Sequence, residues 1–190
     1  MTQLLSSELR AQAEEIKGRY PDPRSAMLPL LYLVQSVEGH VSRQGLQEVA
    51  ELLDVTTAEV EAVATFYTMI RLKPTGKWLL SVCTNLSCAL LGAKGLYERA
   101  EESLGPGADT GATEDGLFSL HEEECLGACD QAPLIQVNFV NYDRVSEEGL
   151  LRMIEELRRD DPPESQQGVK PVDFKTTCRI LAGLDGSESG

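Results

Sequence analysis

The sequence predicts an α/β domain preceded by a helical bundle, and three observations carry that prediction. The first 73 residues repeat apolar positions at helical spacing. After the turn KPTG (Lys73 to Gly76) the pattern changes to short apolar runs alternating with a helix-like stretch. Four of the five cysteines then sit in two short segments, each directly after a predicted strand. The order is a helical segment, strand–Cys loop–helix, strand–Cys loop–strand and a closing helix, an alternation that argues for an α/β layer architecture.

In the helical part, Leu9, Ala13, Ile16 and Tyr20 define one helix, stopped by Pro21 and Pro23. Met27, Leu30, Leu31, Val34 and Val37 define a second, ending near Gly39. Pro29 falls in its first turn, where a missing N–H costs little. Ser42 caps a third helix with Leu46, Val49, Ala50 and Leu53 on one face. Thr56 and Glu59 form a capping box that opens a fourth, running through Val60, Val63, Ala64 and Tyr67. Helices three and four mimic a helix-turn-helix, but the second of them carries Glu59 and Glu61 and no cation before Arg71. That is the wrong charge for a duplex.

Beyond the turn, KWLLSV reads as a buried strand leading to Cys83, the polar loop TNLS and Cys88. ALLGAKGLYERAEESLG follows as a helix. GPGADTGATEDG is glycine-rich and acidic and lacks the Lys-Ser/Thr ending of a phosphate loop, so it reads as a mobile connection. LFSLHEEE alternates apolar and polar residues into Cys125, and PLIQVNFV is a further strand that NYDRV continues or follows. Ser146 opens the last helix, with Glu147 and Glu148 at its positive end and Val145 and Leu150 as a hydrophobic staple. Leu151, Ile154 and Leu157 form its buried stripe. The domain boundaries predicted are 1–73 (helical), 77–160 (α/β) and 161–190 (an extended tail with one short turn near TTCRILAG).

Composition narrows the function. The chain has 190 residues and a net charge of −14, which weighs against nucleic acid and anionic membranes. Residues 77–160 hold 7 basic against 16 acidic side chains, so the negative charge concentrates where the four cysteines are. The longest nearly apolar run, AMLPLLYLV, is far short of the roughly 18–20 residues of a membrane span. The N-terminus lacks the features of a signal peptide, so a cytoplasmic location is expected. In a reducing compartment, cysteines at short spacing point to metal or redox chemistry rather than to a disulfide framework.

The candidate ligands are Cys83-x4-Cys88 and Cys125-x3-Cys129. Structural zinc uses four thiolates, but usually at tighter spacing and in domains too small for a core. Thiol–disulfide exchange favours Cys-x-x-Cys, which is absent. A [2Fe–2S] cluster needs two thiolates per iron, and two chelating pairs supply them. Small residues such as Ser87, Gly127 and Ala128 let backbone N–H groups approach sulfur. The cluster is the leading chemistry, with a zinc-stabilised interaction module as the alternative from another class.

GKWLLSVCTNLSC (Gly76 to Cys88), ECLGACDQAPLIQVN (Glu124 to Asn138) and VATFYTM (Val63 to Met69) closely resemble the E-subunit family of NADH-quinone oxidoreductase, respiratory complex I. The resemblance spans residues 8–160 and implies a thioredoxin-like domain holding one [2Fe–2S] cluster on Cys83, Cys88, Cys125 and Cys129. It also implies an FMN-containing, NADH-oxidising partner subunit beside other peripheral-arm subunits, with attachment to the inner face of the membrane only through the complex. Relatives in that family also serve NAD-reducing hydrogenases and NAD-dependent formate dehydrogenases. No Gly-x-Gly-x-x-Gly follows a strand here, so FMN and NADH are assigned to the partner and no complete active site to this chain. His40, His121 and Cys178 read as ordinary residues, and Glu122, Glu123 and Glu124 as a solvated strand edge or a source of negative charge beside the cluster. Pro133 stands where thioredoxin-like folds often have a cis proline, and the sequence leaves its isomer open. The helical region, with apolar faces on Leu46, Val49, Val60, Val63 and FYTMI, is the expected docking surface.

Overall fold

The structure is a computed structural model that describes residues 3–185. The chain divides into two compact units. One holds the residues up to Pro74 together with those from Lys175 onward, and the other is Thr75–Phe174.

The first unit is helical. α1 (Ser7–Gly18) is capped by Ser6, whose Oγ accepts from Leu9 N–H at 3.2 Å. α2 (Met27–Glu38) follows a single 3-10 turn at Pro23–Ala26, has Pro29 in its first turn and stops at Gly39, where φ is 75°. α3 (Arg43–Leu53) is capped by Ser42, and α4 (Thr57–Phe66) by the reciprocal Thr56–Glu59 box. α4 ends one residue short of the sequence expectation, because Tyr67 turns to extended backbone and is 43% exposed.

Two polar nodes hold this unit. The buried Gln35 side chain donates to Met69 C=O (3.1 Å) and Cys178 Sγ (3.2 Å) and accepts from Arg71 N–H (2.6 Å). The Glu48 carboxylate, also buried, accepts from the N–H groups of Leu4 (2.5 Å) and Leu5 (3.0 Å), from Gln44 (3.1 Å) and from Arg10 (3.1 Å). A fifth helix comes from the far end of the chain: α8 (Phe174–Leu181) lies in the segment expected as an extended tail, with Cys178 buried and Ala182 just beyond it in the helical core. The apolar faces expected to be surplus are mostly used internally. Leu46, Val49, Val60 and Ile70 are buried in the unit's own core, and Phe66 is the main apolar side chain of that stretch left outside.

The second unit is a four-stranded sheet in the order β2-β1-β3-β4. β1 (Trp78–Cys83) is buried along its whole length and central, as its unbroken apolar run predicts. It pairs in parallel with β2 (Phe118–Glu123) and antiparallel with β3 (Ile135–Val137), which turns into β4 (Val140–Tyr142). The parallel pair requires a crossover, supplied by α5 (Leu86–Leu90) and α6 (Ala93–Leu104). The sequence reads these as one helix beginning after Cys88. Instead Asn85 caps a helix that contains Cys88, and Gly92, at φ 89°, breaks it from α6. α7 (Glu147–Arg158) closes the sheet through Leu150, Met153, Ile154 and Leu157, and its Leu157 C=O accepts from the buried Trp78 indole at 3.1 Å. Leu151, expected in that stripe, is only half-buried.

Two loops differ from expectation. PLIQVNFV is not one strand, because Asn138 and Phe139 both have positive φ (44° and 69°) and form the tight turn between β3 and β4. Asn-Phe lacks the glycine that usually advertises such a turn. The acidic stretch read as a mobile connection is tied along β2: Leu120 N–H donates to Ala108 C=O (2.8 Å), Thr113 N–H to Phe118 C=O (2.8 Å) and Phe118 N–H to Thr113 Oγ1 (3.0 Å). An edge strand exposes unpaired backbone groups, and this loop satisfies them. Gly76 is held by close approach, since a Cβ there would meet the Phe118 backbone at 2.7 Å.

Candidate metal centre

Strand direction brings the four predicted cysteines to one end of the sheet. β1 and β2 run parallel with Cys83 opposite Glu123, so Cys83 and, two residues past Glu123, Cys125 leave from the same end. β3 runs the other way and begins at that end, where Cys83 N–H donates to Leu134 C=O at 3.1 Å. The segment carrying Cys125 and Cys129 is therefore strung between β2 and β3 across that end. Cys129 opens a 3-10 turn (Cys129–Gln131), and Ala132–Pro133 is a cis peptide.

The two pairs differ in environment. Cys83 and Cys88 are buried, at 2% and 1% exposure, whereas Cys125 and Cys129 are exposed. Burial, followed by a hydrogen bond with the Cys83 thiol, pushes the Cys88 thiol up to about 11, against a backbone hydrogen bond from Leu134 that favours its thiolate. The charge of Cys129 acts on Cys88 in the same direction as burial. Cys125 Sγ accepts from Gly127 N–H at 3.4 Å, and Gly127 takes φ 77° with open space where a Cβ would stand. This glycine aims its amide at sulfur, the role expected of small residues in these loops.

Among the described residues, no three His, Cys, Asp or Glu side chains converge on a single point, which is what a lone four-coordinate ion requires. A two-iron cluster asks instead for two pairs of thiolates. A buried pair in mutual contact, with a glycine-bearing exposed loop across from it, fits that demand in donor type and number.

The other residues singled out in the sequence have local partners. Thr84 Oγ1 donates to Glu122 Oε1 at 2.8 Å, and His121 Nε2 lies 3.5 Å from Glu123 Oε1. His40 Nδ1 lies 3.2 Å from Glu38 C=O in the helical unit. Cys178 is in the helical unit, bonded to Gln35. Sequence reasoning missed the cap Asn85 and the Leu134 backbone. Asn85, one residue before an apolar run, carried an available N-cap signal; Leu134 carried none.

The family model for thioredoxin-like [2Fe-2S] ferredoxins matches residues 13–158. The chain belongs to that family. The E subunit of NADH-quinone oxidoreductase from Mycobacterium tuberculosis is 45% identical over 178 residues, covering 94% of this chain and 70% of the relative. NADH-quinone oxidoreductase subunit 2 of Thermus thermophilus is 46% identical over 131 residues, covering 68% of this chain and 72% of the relative. Among solved structures, an NAD+-reducing [NiFe]-hydrogenase in its H2-reduced state superposes with a TM-score of 0.60 at 21% identity. That match covers 72% of this chain and 22% of the hydrogenase chain, and it establishes the fold. Membership in this ferredoxin family gives the chain its cofactor class, an iron–sulfur cluster. Among the described residues no helix is long and apolar enough to cross a membrane.

Proposed function

We propose that this chain is the electron-transfer subunit of an NADH-quinone oxidoreductase, carrying one [2Fe–2S] cluster beside an FMN-containing, NADH-oxidising subunit. The observation that carries the reading is the gathering of two cysteine pairs at one end of the sheet, within a family of [2Fe–2S] ferredoxins. The name carried by relatives 45% identical over nearly the whole chain favours complex I over a hydrogenase or formate dehydrogenase.

When bound, the cluster supplies a one-electron site. Cys83 and Cys88 would hold one iron from the buried side, and Cys125 and Cys129 the other from the exposed loop. Each thiol must give up its proton to bind metal, so loading is favoured as pH rises. Burial of the first pair excludes water from one side, while exposure of the second leaves the site open to a partner. The Gly127 amide offers a hydrogen bond to sulfur that lowers the energy of added negative charge. NADH delivers two electrons as a hydride, so a flavin on the partner must divide them before this chain accepts one. The assembly would lie at the cytoplasmic face of the membrane, held there through its other subunits.

The test is metal and sulfide analysis with electron paramagnetic resonance of the reduced protein, followed by NADH addition. We expect two irons and two sulfides per chain, no bleaching by NADH alone, and bleaching once the FMN-bearing subunit is added. Colourless zinc protein, or bleaching by NADH with flavin absent, would overturn the reading.

A further inference from the structure

α5 turns its one cysteine inward and its leucines outward. Cys88 is 1% exposed, whereas Leu86, Leu90 and the following Leu91 are 71%, 78% and 60% exposed. Single exposed leucines are ordinary, but three around one five-residue helix form a contiguous apolar surface directly over a candidate ligand. The helix is held firmly, by Asn85 at its start and by the buried Cys88, so this surface is preformed.

Its surroundings are acidic. Glu122 is bonded to Thr84 just before α5, and Glu124 and Asp130 are exposed in the segment that carries Cys125 and Cys129. Residues 75–174 hold 8 basic against 19 acidic side chains, and Lys94 is the one cation between Lys77 and Arg99. An apolar centre with a charged rim is the anatomy of a protein interface.

We propose that the leucine face of α5, rimmed by Glu122, Glu124 and Asp130, is where the electron-donor protein docks, and that this donor presents an apolar patch bordered by Lys and Arg. The inference rests on the electron-transfer reading above. Two features select this occupant over a second copy of the chain. An acidic rim repels its own image, and the face covers the helix that carries Cys88, so a donor seated there is brought next to the cluster site. Charge complementarity at the rim then steers encounter, and the leucines exclude water at contact.

The experiment uses the full-length, cluster-loaded protein and the purified FMN-bearing, NADH-oxidising flavoprotein from the same genome. A Leu86→Ser, Leu90→Ser double variant should keep its iron content and its bleaching by dithionite. Its affinity for the flavoprotein should fall at least tenfold, and NADH-dependent bleaching should slow in step. A Glu124→Lys, Asp130→Lys variant should associate more slowly and lose most of the salt dependence of association. Ile180→Ser, an exposed apolar change in the helical unit, serves as the control and should bind normally. If wild type binds and the leucine variant binds equally well, the docking face is wrong and the electron-transfer reading stands. A leucine variant altered only in self-association, measured by sedimentation, also overturns it. If wild type itself neither binds the flavoprotein nor is reduced through it, both proposals fall.

Discussion

At the scale of single residues, the five cysteines separate by environment as much as by spacing. Cys83 and Cys88 share one buried neighbourhood with Leu134, Cys125 and Cys129 lie on an open loop, and Cys178 is bonded to Gln35 inside the helical unit. Serine at Cys83, Cys88, Cys125 or Cys129 should therefore abolish or alter the cluster, read as iron per chain and as a changed reduced-state spectrum. Cys178→Ser should leave both as in wild type, and equal iron loss in that variant would overturn the assignment. Glu48 gives a pH prediction. Burial opposes its charge, but the Leu4 and Leu5 N–H groups, Gln44 and Arg10 together outweigh that and hold the carboxyl below the usual range. A folded-state value below the unfolded one means the stabilisation is present above the unfolded value and disappears as pH falls through the folded one. Resistance of the helical unit to urea should weaken on acidification below about pH 4. Glu48→Gln should cost about 2 kcal/mol at pH 7 and flatten that acid dependence. An unchanged acid slope in the variant would contradict this account.

Among the elements, the β3–β4 turn contributes most that sequence reading did not anticipate. Asn138 is 1% exposed, and its side chain continues the sheet where the backbone turns away. Its Oδ1 accepts from Leu79 N–H (2.8 Å), and its Nδ2 donates to Lys77 C=O (2.9 Å) and Val172 C=O (2.8 Å). The turn therefore pins both β1 and the strap before α8, helped by the tilted contact of Phe139 with Phe174 at 5.9 Å between ring centres. Asn138→Ala strands the buried Leu79 N–H and removes one of the two hydrogen bonds to Lys77 C=O, which also accepts from Phe174 N–H. At roughly 1–3 kcal/mol for the unsatisfied donor, it should destabilise the sheet unit by about 2 kcal/mol. Chemical denaturation followed by Trp78 fluorescence would measure it, and a loss below about 1 kcal/mol would show that water replaces the amide. The helices, by contrast, were largely legible. Ser42, Thr56 with Glu59, and Gly39 are local signals, and each lies at the helix end it predicted.

At the scale of the whole molecule, the chain leaves the helical unit after Pro74 and returns to it at Lys175. The sheet unit has its own contiguous core, from Trp78 and Leu80 through Phe118 and Ile135 to Leu157. A fragment spanning residues 75–174 should accordingly fold and hold iron at wild-type stoichiometry. A fragment ending at Phe174 should keep the cluster but lose stability in the helical unit, because it strips the rest of α8, with Cys178, from Gln35. Calorimetry resolving two transitions would test this. Failure of the 75–174 fragment to retain iron would show that the cluster site depends on the helices.

The amino-acid sequence by itself determined the first four helices, the closing helix of the sheet unit, the strand-to-cysteine alternation and, through the resemblance of contiguous motifs, the family, because caps, periodicities and motifs act within a few residues. Only tertiary structure decided which thiols are buried, that the loop at 105–116 seals β2, and that α8 completes the first unit. Each of these joins groups well apart in the chain: Ala108 to Leu120 across a reversal, Cys83 to Leu134 across the sheet, Gln35 to Cys178 across 143 positions. Local preferences carry no term for such pairings. They are set by which arrangement buries apolar surface while leaving no backbone group unbonded.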